Sequence, residues 1–86
     1  MDIRTTIHFD RSLAKKIKKN PQLKNKIKNQ INLLKENLLH PSLKLHKLRG
    51  KRAEEYSFWI ERNLRITFML IDNTILFTDI ITHDEY

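Results

Sequence analysis

The chain has 86 residues and no cysteine, so it makes one domain near the lower end of what folds unaided, with neither disulfides nor a thiolate metal site to staple it. Its 17 lysines and arginines against 10 acids give a net charge of +7, a field that favours polyanions: nucleic acid, the ribosome or an acidic protein segment. A single glycine, Gly50, excludes phosphate-cradling loops of the P-loop or Rossmann kind, and no stretch reads as a signal peptide or reaches the roughly 20 apolar residues of a membrane helix, so a cytoplasmic protein with no membrane partner is expected.

In chain order, residues 3–9 alternate and predict a first strand, with Ile3, Ile7 and Phe9 on one side and Arg4, Thr6 and His8 on the other. Asp10 is placed to cap a short helix over 11–19, in which Leu13 and Ile17 face inward. Asn20 closes that helix, and Pro21 suits the first position of a second helix over 21–38. There Leu23, Ile27, Ile31, Leu34 and Leu38 form one apolar stripe suited to packing on a sheet. Lys24, Lys26, Lys28 and Lys35 lie opposite, as a solvated helix surface or a nucleic-acid face.

His40-Pro41 ends the second helix, because the residue before proline is pushed out of the helical region. Leu43 and Leu45 then alternate with Lys44 and His46, which predicts a short strand running into a loop at Gly50. Between Lys44 and Arg52 fall five lysines and arginines and no acid, the densest charge in the chain.

Residues 54–71 read as two strands around a polar turn. Tyr56, Phe58 and Ile60 alternate with Ser57, Trp59 and Glu61; Leu64, Ile66, Phe68 and Leu70 alternate with Arg65, Thr67 and Met69. For both apolar sets to share a face the loop must hold an odd number of residues, and Arg62-Asn63-Leu64 is the expected choice, with Asn63 left-handed. Asp72-Asn73 is a second turn, and 74–82 is an inner strand. The order is βαα followed by four short strands, an α+β layer with two helices on one face of a mostly antiparallel sheet. The other face is expected to be open and basic, with Arg65, Trp59 and Glu61 upon it.

The histidines at 8, 40, 46 and 83 are far apart and lack paired i, i+4 spacing, so they give no zinc signature, and no serine sits on a glycine elbow. What remains is a basic cleft of a kind that cleaves RNA without metal or other cofactor. The 2′-OH attacks the neighbouring phosphate, which calls for a base, cations for the added charge and an acid for the leaving 5′-oxygen. Histidine suits the acid and base roles, worth roughly 10²–10⁴ in rate. Arginine clamps phosphate oxygens bidentately, and tyrosine or tryptophan stacks on a splayed base. Arg65 amid an apolar strand is costly unless paired or facing a cleft; a bridge to Glu61 or Glu55 is the plainer alternative. Trp59 reads equally as packing or as a base platform.

Four segments in order, Leu45-His46-Lys47-Leu48-Arg49-Gly50, Glu55-Tyr56-Ser57, Leu64-Arg65-Ile66-Thr67-Phe68 and Asp79-Ile80-Ile81-Thr82-His83-Asp84-Glu85-Tyr86, resemble the RelE/ParE toxin superfamily over nearly the whole chain. The resemblance implies one toxin domain over residues 1–86, half of a bacterial toxin–antitoxin pair. Many such toxins cut mRNA, commonly in the ribosomal A site of the 30S subunit, while the ParE branch inhibits DNA gyrase. It implies an acidic antitoxin as partner. By the same resemblance Arg65 matches the phosphate-contacting arginine, His83 the C-terminal histidine of YafQ-like members and Tyr86 the closing aromatic. Lys44, His46, Lys47 and Arg49 fall among the catalytic or RNA-binding basic residues, and Lys51 and Arg52 extend that segment. Trp59 stands where relatives often carry a basic residue or histidine. Tyr86 follows His83 by three residues, where relatives often have four, and Thr82 stands where glycine is common.

Overall fold

A computed structural model describes residues 2–82. In order these are β1 (Asp2–Thr5), α1 (Ile7–Lys19), α2 (Leu23–Glu36), β2 (His46–Lys47), β3 (Glu55–Glu61), β4 (Leu64–Ile71) and β5 (Thr74–Thr82). Single 3₁₀ turns lie at Pro41–Leu43 and Gly50–Arg52. The sheet order is β1-β5-β4-β3-β2; β1 runs parallel to β5 and the other neighbours are antiparallel. The α+β arrangement expected from the sequence is the one observed.

The helices cover one face, and the core lies under them. Phe9 from α1 meets Phe77 of β5 with ring centroids 5.2 Å apart, and Phe58 of β3 lies 5.9 Å from Phe68 and 5.7 Å from Phe77. Leu23, Ile27 and Leu34 of the α2 stripe are buried against this cluster, with Ile31 and Leu38 partly so. A fully buried phenylalanine or leucine contributes about 1.5–3 kcal/mol relative to an exposed one, so this face carries most of the fold's stability.

Several local expectations are corrected. The first strand stops at Thr5, and Thr6, not Asp10, caps α1: its hydroxyl accepts from the Phe9 amide at 3.1 Å. Alternation placed Phe9 on a strand, but position 9 also suits a helix whose Phe9 and Leu13 lie four apart, and burial of that ring favours the helix. α2 is shorter at both ends than 21–38, running Leu23–Glu36 with Asn37 as its C-cap. Leu43 sits in a 3₁₀ turn and is fully buried, leaving only His46 and Lys47 in the short strand. Leu70, placed with the apolar set, is 40% exposed at the turn end of the β4–β5 hairpin.

The central hairpin solves its parity problem differently from the expected three-residue loop. Glu61 pairs with Leu64, so the turn is Arg62-Asn63 alone, and Asn63 is not left-handed. On a regular ladder that turn would put Phe58 opposite Thr67, mixing the faces. A bulge between Trp59 and Glu61 absorbs one residue, and Phe58 then meets Ile66 while Tyr56 meets Phe68. A second irregularity in β5 lets Thr67 pair with Asp79 and Phe68 with Phe77, with Thr78 as the extra residue. Asp72 takes the left-handed conformation, φ 54°, in the next turn, as expected for a short polar side chain.

Candidate nucleic-acid interface

The bulge fixes which side chains stand on the face away from the helices. Trp59 is opposite Arg65, and Arg65 is opposite Ile81. One step along, His46 is opposite Ser57, Ser57 opposite Thr67, and Thr67 opposite Asp79. Side chains on directly paired residues are neighbours, so Trp59 and Arg65 flank each other. Both are half-buried, whereas His46 is exposed. Lys44 holds a left-handed backbone, φ 46°, unusual for a residue other than glycine, asparagine or aspartate. Its ammonium stands 4.9 Å from the centre of the Trp59 ring, a cation–π contact that brings positive charge over an aromatic face.

A buried glutamine supports this pair from the core side. Gln30 of α2 donates from Nε2 to the carbonyl of Trp59 at 2.7 Å and to that of Ser42 at 3.2 Å. One side chain thus ties the helix to the bulged strand and to the turn just before Lys44. At the hairpin end Lys26 bridges Glu61 at 2.8 Å.

The face is less open than the sequence suggested. Ser57 and Thr67 are fully buried on it. A polar network covers part of the sheet: Arg52 donates from Nε and Nη2 to the Glu55 carboxylate at 2.8 and 3.1 Å, and from Nη2 to the Thr67 hydroxyl at 2.9 Å. Thr67 and Thr78 hydroxyls lie 2.8 Å apart, and Thr78 donates to Glu55 Oε1. The Arg52 guanidinium holds the Glu55 carboxyl below its ordinary value against the opposing effect of burial, with help from Thr78. Beside this network His8 of α1 lies 3.1 Å from Asp79.

The structure thus gathers Lys44, Trp59, Arg65 and His46 on one side of the sheet. Lys47 is exposed but pairs with Tyr56, so alternation turns it to the other side of β2. Arg49 and Lys51 are exposed on the loop between β2 and β3, while Arg52 turns inward to Glu55. His83 and Tyr86 lie outside the described residues. The two carboxylates weighed as structural partners for Arg65 are engaged elsewhere, Glu61 by Lys26 and Glu55 by Arg52. Sequence reading missed Gln30 and the Glu55–Thr67–Thr78 network. Gln30 could have been found as an amide at a position of the apolar stripe, since it falls three residues after Ile27 and four before Leu34. Among the described residues no three of His, Asp and Glu gather to hold a metal ion, and no helix is long and apolar enough to cross a membrane.

Solved structures share this architecture over almost the full chain. YafQ from E. coli strain BL21(DE3) is 23% identical and superposes with a TM-score of 0.81, covering 98% of this chain and 94% of that one. The YoeB/ParE toxin from Agrobacterium tumefaciens is 16% identical with a TM-score of 0.81, over 96% and 99% of the two chains. The E. coli DinJ-YafQ complex matches at 24% identity and a TM-score of 0.78, over 98% and 94%. No family model matches the chain, and no curated protein sequence does.

Proposed function

We propose, starting from a chain that has the fold of the RelE/ParE toxin superfamily, that it is the toxin half of a toxin–antitoxin pair and a metal-independent endoribonuclease acting on mRNA at the ribosome. The observation that best supports this reading is the cluster of Lys44 over Trp59, with Arg65 directly across the strand and His46 one step away. These are the groups needed to hold a phosphate, neutralise its added charge and stack a base.

In this reading Arg65 clamps the scissile phosphate, where charge builds in the transition state. His46 and His83 share the acid and base roles, Tyr86 assists them, and Trp59 receives a splayed base while Lys44, Arg49 and Lys51 contact the backbone. Arg65→Ala and His83→Ala should each abolish growth inhibition while leaving the melting temperature within a few degrees of wild type. Mapping RNA 5′ ends after brief induction tests the activity directly. New ends within translated codons are expected; intact mRNA in growth-arrested cells would overturn the ribonuclease reading.

The likeness to a YoeB/ParE toxin keeps a second reading in play, binding and poisoning of DNA gyrase without hydrolysis. Blocked supercoiling with uncut mRNA in the same culture would select it. Either way we propose an acidic antitoxin as partner, steered by the charge of +7. It should copurify, raise the melting temperature, and associate more slowly as salt rises.

A further inference from the structure

We propose that Glu55 is a positioning residue of the RNA site, stapling the 48–53 loop so that Arg49 and Lys51 are presented to the RNA backbone. The inference rests on the RNA-binding reading above and adds the residue that sets the loop. Glu55 holds both ends of the segment. Its carbonyl accepts from the Leu48 amide at 2.9 Å, and its carboxylate accepts two hydrogen bonds from Arg52 at 2.8 and 3.1 Å. Within the loop the Ala53 amide closes a single turn onto the Gly50 carbonyl at 3.2 Å. Arg49, Gly50, Lys51, Ala53 and Glu54 are all exposed, and nothing lies within 4 Å of where a side chain at Gly50 would stand. A concavity of about 460 Å³ opens against Gly50–Arg52, bounded by Glu55 and Met69.

The staple is also anchored in the sheet. Thr67 of β4 and Thr78 of β5 bond to each other, the first receiving Arg52 and the second reaching the Glu55 carboxylate. Thr78 is the extra residue that lets β5 change register. The loop is thereby referenced to three strands through one carboxylate. A charge-assisted, bidentate contact of this kind fixes direction as well as distance.

Charge gives the test its sign. Glu55→Gln removes a negative charge from a protein of net charge +7, which on long-range electrostatics alone tightens binding to a polyanion. The positioning role requires the reverse. The probe is a fluorescent single-stranded RNA with every 2′-oxygen methylated, so the nucleophile is blocked and binding is read without cleavage, by anisotropy on the full chain. Glu55→Gln should weaken binding about fivefold to tenfold and speed amide exchange at Leu48 while α2 is unchanged. The Arg49→Ala/Lys51→Ala pair should weaken wild type, yet have little further effect in Glu55→Gln, because those cations are no longer held in place. Thr78→Val, which loosens the carboxylate at constant charge, should give a smaller loss in the same direction and serves if Glu55→Gln does not fold. Binding equal to or tighter than wild type, or additive losses from the loop cations, would overturn the positioning role. Wild type that fails to bind the probe would instead overturn the RNA-binding reading itself.

Discussion

The two faces of the sheet are built from the same strands and obey different rules. The helix-covered face is apolar and closed: Phe9, Phe58, Phe68 and Phe77 are each at most 2% exposed. The other face is half-buried and polar, with an ion pair, two threonines and a cation over tryptophan. Burying hydrocarbon stabilises without direction, while charge-assisted hydrogen bonds fix position more than they stabilise. One face therefore holds the chain together, and the other holds groups in place. The bulges at 59–61 and at Thr78 keep the two sets of side chains from exchanging faces.

The largest effect should come from the closed face. Phe58→Ala should cost about 3–5 kcal/mol in urea unfolding, since it empties the centre of the aromatic cluster. That is a large share of the roughly 5–15 kcal/mol of a typical domain. A loss below about 1 kcal/mol would mean that the aromatic layer is not the main support of the fold.

Gln30 crosses the divide, because it is buried among the helix residues and serves the opposite face. Gln30→Leu should cost about 1–3 kcal/mol, leaving the Trp59 and Ser42 carbonyls without this donor. It should also shift the Trp59 fluorescence maximum as the bulge relaxes. A stability loss with unchanged tryptophan emission would separate the two jobs.

Glu55 makes the comparison depend on pH. Its folded pKa is lowered, so its contribution is present above the ordinary glutamate value and is lost as pH falls through the lowered folded value. Unfolding followed from neutral to acid pH should therefore show a shallower acid limb in Glu55→Gln than in wild type. Identical limbs would show that the network has no net linkage to folding.

The smallest effect is expected at Ser57. Its hydroxyl is buried and has no hydrogen-bond partner among the described residues. Ser57→Ala should be neutral or stabilise by about 1 kcal/mol, as removal of an unsatisfied polar atom allows. A clear loss of stability would reveal a bond to that hydroxyl and make this face more tightly built than it looks.

Much of the closed face was legible in the sequence, and much of the other was not. The α2 stripe and the last strand over 74–82 follow from periodicity, because a buried face imposes its period on the residues that make it. The start of α1 was misread since Thr6, Ile7, His8 and Phe9 alternate like a strand, and only the long-range burial of Phe9 decides between the two. The hairpin parity was recognised, but a bulge and an odd loop satisfy it equally well and local residues do not choose. Arg65 and Trp59 stood out because polar or bulky residues on an exposed strand face break the apolar pattern. Arg52 did not reveal its inward role, as lysines and arginines in a charged run look alike until one finds a half-buried carboxylate.

The parallel pairing of β1 with β5 has a bearing on the order of events in folding. The hydroxyl that caps α1 also donates to the carbonyls of Phe77 and Thr78, 71 and 72 residues away. The first helix thus completes its end, and the first strand finds its only neighbour among the described residues, when β5 arrives. A loop that long must close before its contacts repay the entropy, which slows the search. Segments translated early therefore wait for one translated late, and refolding should be limited by docking of that last strand. Thr6→Ala should then slow refolding less than a core substitution in β5, and would show how far the first helix is formed at the barrier.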